Sequence, residues 1–347
     1  MKQKIVLVLG LLVTLGAFFW IFKDIKFSEL LDALKSFDLI WLIPSLFLFY
    51  WSMYLRGSRW GLLFRPERDF DGRRMFRPLM IGFAFNCVLP GRVGEFARAY
   101  FVAKKEDAGL PASLGTVVTE RIFDAVTLLV FLSASLALLP AIDPSVQVDF
   151  WGTSVQGSML APLMRKIVMM SVVLIVGVGI FMIPRVQMLL IALPYMFKRV
   201  PDKYKALASN AVRDLSKGFT AIRDPKTLAI VVFYSLAIWG LAGASTLVLS
   251  YGFDGMKMTF THALAVMALI AIFILIPAAP GYWGLYEAGT IFSLTVFAIS
   301  PDQSVSAAYA IVLHLVQYVP IVMVGFVFAA QSQVSIRPPA AQSAENN

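Results

Sequence analysis

The sequence predicts an all-α integral membrane protein. It should have about six full transmembrane helices, two Pro-Gly-broken re-entrant hairpins and an inverted-repeat architecture. Three observations predict this. The 347-residue chain is 59% hydrophobic and 15% charged, where soluble domains average roughly 45–50% and about 25%. Its apolar residues fall in blocks of roughly 18–25, the length that crosses hydrocarbon as a helix. A Pro-Gly-x-x-Gly pattern followed by glutamate occurs twice inside apolar regions, from Pro90 to Glu95 and from Pro280 to Glu287.

Taken in order, the spans are 5–22, 39–55, 112–139, 167–183, 227–250 and 305–329. The first begins with basic residues, as a signal peptide does. It is longer than a signal's apolar core and no A-x-A-like site follows, so it reads as a retained span. Loop charge sets orientation, because Lys and Arg favour the cytoplasmic side. Loop 56–77 holds seven arginines against three acids, loop 184–226 nine basic residues against three acids, and loop 140–162 no basic residue against two acids. Both termini are therefore expected in the cytoplasm, with the protein in the inner (cytoplasmic) membrane. Residues 1–330 form a single polytopic domain with repeats at about 39–139 and 227–329; 331–347 is polar and reads as a disordered tail.

The net charge of +9 does not indicate nucleic acid, since no RNA- or DNA-binding motif accompanies the basic loops. They orient the chain and meet anionic lipid headgroups. Within the second, Tyr204, Leu207, Ala208, Ala211, Val212, Leu215, Phe219 and Ile222 recur at helical spacing, predicting an amphipathic helix over 201–222 in the cytoplasmic interface. Cys87, the single cysteine, cannot form an internal disulfide and reads as a small buried residue.

The regions 78–101 and 260–299 are ambiguous. Only about a dozen apolar residues precede Pro90, too few to span. Broken backbone at membrane depth is tolerated inside protein or beside water. Both regions are expected to be re-entrant hairpins that enter from opposite faces, turning at Pro90, Gly91 and Gly94 and at Pro280, Gly281 and Gly284. Two full spans in each region would preserve the same loop sides, giving eight or more crossings.

Charges inside such segments are costly, about 2.5–3.5 kcal/mol each. Glu120 and Asp124 share one helical face, and Arg121 reaches Asp124 at i,i+3. In the first hairpin Arg92, Glu95 and Arg98 are spaced to stack along one face, with Asn86 just before the turn. Arginine forks suit phosphate, and a Pro-Gly-x-x-Gly turn leaves N–H groups at a positive helix end. Either the arginines pair with Glu95, Glu120 and Asp124 in a structural lattice, or at least one holds an anionic headgroup; both can hold. Glu287 could take a proton, accept from a substrate, or pair with an arginine across the repeat. Tyr282 and Trp283 line a lipid path or anchor the interface. His314, Gln317 and Tyr318 form a polar stripe that glues helices or couples protons. His262 reads as an ordinary residue near a span end.

No phosphate loop, metal site or nucleophile elbow is legible, so neither cofactor nor enzyme chemistry is expected. These segments together, "NCVLPGRVGEFARAYF", "TERIFD" and "PAAPGYWGLYEAG", resemble the flippase-like proteins known as the lysylphosphatidylglycerol synthase transmembrane region. The resemblance runs from Ile5 to about Ala330. It implies movement of lipids or lipid-linked molecules between leaflets: an anionic (glyco)phospholipid, a polyprenyl-phosphate-linked lipid or a hopanoid-type lipid. The best-known relatives carry a fused aminoacyltransferase domain not found in this sequence, so synthase activity is not carried over. The motif positions are Asn86, Pro90, Gly91, Arg92, Gly94, Glu95 and Arg98, then Glu120, Arg121 and Asp124, then Pro280, Gly281, Gly284 and Glu287. Tyr282-Trp283 departs from the smaller residues common there. The alternatives are a transporter of a small soluble anion and a non-transporting partner of an envelope-lipid enzyme.

Overall fold

The computed structural model describes residues 12–17, 19, 23, 25–65, 68–139, 145, 147–150, 153–197, 200–276, 280–300 and 302–332. The chain is an all-α membrane protein. The described helices are α1 (Phe27–Lys35), α2 (Leu42–Leu62), α3 (Gly72–Val88), α4 (Val93–Lys105), α5 (Leu110–Leu138), α6 (Gly157–Phe181), α7 (Pro184–Met196), α8 (Asp202–Gly218), α9 (Pro225–Ser250), α10 (Phe260–Phe273), α11 (Leu285–Val296) and α12 (Gln303–Gln331). A small antiparallel hairpin, β1 (Gln147–Phe150) with β2 (Thr153–Gln156), is the departure from helix; the loop prediction over 140–162 did not anticipate it.

Four helical segments are long and apolar enough to cross a membrane: Leu39–Leu62, Leu110–Leu138, Pro225–Ser250 and Gln303–Gln331. A fifth is possible if α6 and α7, bent by 89° at their junction, act as one. Of the expected first span 5–22, only 12–17 and 19 are described, and these are helical. The expected tail lies outside the described residues beyond Ser332. Caps fix several starts. Asp224 accepts from Thr227 N ahead of α9, and Asp302 from Val305 N ahead of α12. At α10 the Thr259 hydroxyl accepts from His262 N while His262 Nδ1 accepts from Thr259 N, a reciprocal cap. His262 thus has a definite local role.

The long helices bury polar as well as apolar residues and turn large apolar side chains outward. On α2 and the short turn before it, Leu39, Ile43, Phe47 and Trp51 are exposed, whereas Ser45, Ser52, Arg56 and Arg59 are buried. With lipid outside, apolar burial does not drive helices together, and close packing with interhelical hydrogen bonds does. Ser45 and Ser245 make one such contact: each hydroxyl donates to the other residue's carbonyl, at 3.0 and 2.8 Å, with the hydroxyls 2.9 Å apart.

The two broken regions form helix pairs whose turns begin alike and then differ: Gly284 is at positive φ, 84°, whereas Gly94 lies inside α4. Gly91 and Gly281 have φ of 78° and 82°, and the residues after them, Arg92 and Tyr282, are also left-handed at 55° and 60°. A non-glycine residue there costs on the order of 1–3 kcal/mol and persists only where its surroundings enforce it. At 17, 13, 14 and 12 residues, α3, α4, α10 and α11 are all shorter than the ~20 residues of a full crossing. In the first pair the backbones nearly touch: a Cβ on Gly94 would lie 1.8 Å from the Gly82 carbonyl oxygen. The first pair packs on α12 and the second on α5, so each broken region leans on a long helix from the other half of the chain.

The helix expected over 201–222 is α8 with a short turn at Ala221–Arg223. Its stripe divides: Phe219 and Ile222 enter a core with Trp60 and Leu79, while Tyr204 and Leu207 stay exposed. The additional helix α7 lies within the loop expected over 184–226.

Gly94→Ala is expected to force α3 and α4 apart. The cost should be at least the 1–3 kcal/mol typical of overpacking. A lowered midpoint of thermal unfolding in detergent checks this, with Gly177→Ala, where an added Cβ meets nothing within 4 Å, as the control.

Candidate functional site

The site is built on α5. The i,i+4 spacing turns Glu120 and Asp124 to one face, at 0% and 5% exposure. Asp124 accepts from Arg56 Nη1 at 3.0 Å, Arg59 Nη2 at 2.7 Å and Trp239 Nε1 at 3.0 Å. Arg121 Nη2 lies 3.1 Å from Asp124 Oδ2, the oxygen that also accepts from Arg56. Glu120 receives both Nη groups of Arg98, at 3.0–3.2 Å, and also Arg121. Arg59 bridges onward to Ser235, donating to its hydroxyl at 2.8 Å. Two guanidinium groups also lie over indole rings, Arg98 at 4.8 Å from Trp60 and Arg56 at 4.5 Å from Trp239. A buried charge is tolerated when partners replace its water, and both carboxylates have them.

This lattice corrects three expectations. Arg56 and Arg59 are not loop residues, because α2 continues to Leu62 and buries them. Arg92, Glu95 and Arg98 do not stack as one row: Arg92 precedes α4 in a left-handed conformation. Arg98 is 2% exposed and paired with Glu120, as the structural-lattice alternative expected, so it ties α4 to α5. The partners of Asp124 are Arg56, Arg59 and Arg121, with Arg92 not among them.

Beside the lattice lies a cavity of about 210 Å³. Asn86, Arg92 and Glu95 reach it from the first pair, Tyr282 and Tyr286 from the second, and Arg56, Arg121, Trp239 and Gln317 from the long helices. Phe49, Met53, Ile270 and Ile321 supply apolar wall. Several polar atoms of lining residues are buried without a hydrogen-bond partner: Asn86 Oδ1, Tyr286 Oη, Arg56 Nε and Arg121 Nε. Such atoms are costly unless something binds them. Arg92 Nη2 reaches the Ile274 carbonyl at 3.4 Å and no carboxylate among the described residues. Arg121 keeps 30% of its side chain exposed, with Glu95 4.0 Å from its Nε. Lattice and cavity together hold five arginines (56, 59, 92, 98, 121) against three carboxylates (95, 120, 124), an excess of two positive charges.

The second pair carries a different couple. Glu287 Oε2 accepts from Gly284 N at 2.7 Å, and Oε1 lies 2.6 Å from His314 Nδ1. Glu287 is therefore held by a histidine of α12, and the arginine across the repeat that was one of its expected partners is not used. Trp283, Tyr286 and Tyr318 surround the imidazole, with ring centroids at 4.4, 4.3 and 5.6 Å. Cys87 is buried and free. Among the described residues, no group of three or more His, Cys, Asp or Glu could hold a metal.

Sequence reasoning missed Arg56, Arg59, Ser235 and Trp239. The two arginines stand at i,i+3 in "LRGSRWGLLF", with apolar residues continuing after them, a readable sign that the helix runs on. Nothing local marks Trp239.

The profile of the lysylphosphatidylglycerol synthase transmembrane region matches residues 7–325. The chain belongs to that family. Two curated proteins are similar to the chain. A protein of Haloferax volcanii named glycosyltransferase AglD is 25% identical over 99% of this chain, and the chain spans 57% of that protein. The UPF0104 membrane protein MJ1078 of Methanocaldococcus jannaschii is 26% identical over 69% of this chain and 90% of its own length. No solved structure matches. The family profile takes in both Pro-Gly turns, the lattice and the Glu287–His314 couple.

Asp124→Asn removes the charge on which Arg56, Arg59 and Arg121 converge. A loss of about 3–5 kcal/mol is expected, read as a fall in unfolding midpoint. The double variant Asp124→Asn/Arg56→Gln should lose less than the sum of the two single variants, because their partners are shared.

Proposed function

We propose that this member of the lysylphosphatidylglycerol synthase transmembrane-region family moves a phosphate-bearing lipid, or a lipid-linked glycan, between leaflets. The observation that carries the reading is the cavity: net positive, lined by unpartnered polar atoms, and set between two similarly broken pairs of helices, each helix too short to cross hydrocarbon. Arg92 and the open edge of Arg121 take the phosphate, while Asn86 and Tyr286 offer hydrogen bonds to the rest of the headgroup. Acyl or prenyl chains stay in lipid. Arg56, Arg59 and Arg98, locked by Asp124 and Glu120, hold the surrounding helices.

An inverted repeat with two re-entrant pairs is part of the same reading. The matching left-handed turns support it, and so does the exchanged packing of the two pairs on α12 and α5. We place the protein in the cytoplasmic membrane with both termini inside, on the basic loops, where anionic headgroups and an envelope-lipid enzyme would meet it. A relative named as a glycosyltransferase fits a cargo bearing sugar as well as phosphate.

Reconstituted in liposomes, the protein should move fluorescent phosphatidylglycerol between leaflets faster than empty vesicles. Arg92→Ala, outside the lattice, should fold normally and slow this by about tenfold or more, since a hydrogen bond to a charged group is worth about 1.5–3 kcal/mol. No movement above empty vesicles overturns the proposal. Uptake of glycerol phosphate without lipid movement would instead make this a soluble-anion transporter.

A further inference from the structure

We infer that the Glu287–His314 couple is a proton site that binds one proton together with the anionic headgroup, making movement of that headgroup proton-coupled. The inference rests on the transport reading above and supplies its coupling ion.

Consider the buried carboxylates of the helix bundle. Glu120 and Asp124 are held by arginines, whose charge is permanent. Glu287, at 1% exposure, is held by His314, at 3%, and histidine is the side chain whose charge changes near neutral pH. Among the described residues neither contacts Arg or Lys. The titratable groups in contact with the couple are Tyr286 from the second pair and Tyr318 from α12; Tyr282 and Tyr309 belong to the core that Tyr286 joins, and Cys87 of α3 lies near Tyr318. Across the cavity, Arg92, Glu95 and Arg121 lie near enough to Tyr282 to act on it.

The couple has two charge states. With Nδ1–H donating to a carboxylate it carries one negative charge. A proton arriving at Nε2, which makes no hydrogen bond among the described residues, gives an imidazolium–carboxylate pair with no net charge. One aromatic ring separates this change from the cavity: Tyr286 stacks on His314 at 14° and lines the cavity. One helical turn on, Gln317 lines it too. An anion in the cavity disfavours the negative state and favours the neutral one. By linkage, the proton then favours the anion by the same factor. The first pair offers no such switch, because its cavity carboxylate, Glu95, lies beside Arg121.

The test is titration calorimetry of dihexanoyl-phosphatidylglycerol into the detergent-solubilised full chain near pH 7, in buffers of differing ionisation enthalpy. The phosphodiester stays ionised there, so any exchanged proton belongs to the protein. Wild type is expected to take up a proton, up to one per lipid. His314→Gln keeps a donor for Glu287 but cannot titrate. It should bind lipid with no proton uptake, at the affinity that wild type shows at alkaline pH. Glu287→Gln should likewise lose the uptake. Wild-type binding without proton exchange, or exchange that persists in His314→Gln, overturns the coupling and leaves the transport reading standing. Absence of binding overturns both.

Discussion

A carboxylate that gives up water needs donors within reach, and Asp124 has four: Arg56, Arg59, Arg121 and Trp239. The arrangement of the surrounding helices follows from that requirement. Arg56 and Arg59 fix α2 against α5, and Trp239 and Ser235 bring in α9. Glu120 and Arg98 attach α4, and with it the first broken pair. Removing one partner leaves a bare charge in a low-dielectric interior, whereas the complete set is tolerated. The lattice therefore specifies which helices meet, and the cavity is the space left beside it.

The separation between lattice and cavity has a physical basis. A guanidinium gripped at two or more points has few hydrogens left for a ligand. Arg98 spends both Nη groups on one carboxylate. Arg92 gives one Nη to the Ile274 carbonyl and none to a carboxylate, and Arg121 keeps one edge free. Arginines in a single motif thus divide into those that build and those that face the cavity. The division depends on where acids from a distant segment arrive.

Much of the architecture was legible in the sequence, because lipid imposes a simple length rule. The four long helices, the breaks at Pro90 and Pro280, and the burial of Glu120 and Asp124 could all be read from runs of apolar residues and the cost of charge in hydrocarbon. What failed was the end of α2. Arg56 and Arg59 look like the start of a cytoplasmic loop, since basic residues at a span end ordinarily mark the inner face. Only the acids more than sixty positions later (Glu120 and Asp124) reveal that the helix carries them inward. Likewise, the choice of partner for Glu287 was open between arginine and others. Spacing within α12 placed His314 on a polar stripe but could not say that α11 would lie against it. Contacts between segments far apart in sequence leave no local period to read.

The mutual dependence of the lattice also bears on how such a protein can change over generations. Each buried arginine answers to a carboxylate that answers to further arginines, so no single replacement leaves a neutral intermediate. Drift should stall at these positions and pass instead through wall residues such as Tyr282 or Ile270, which carry no shared debt of charge. What the cavity can admit would then diverge among descendants while the electrostatic skeleton beneath it stays frozen.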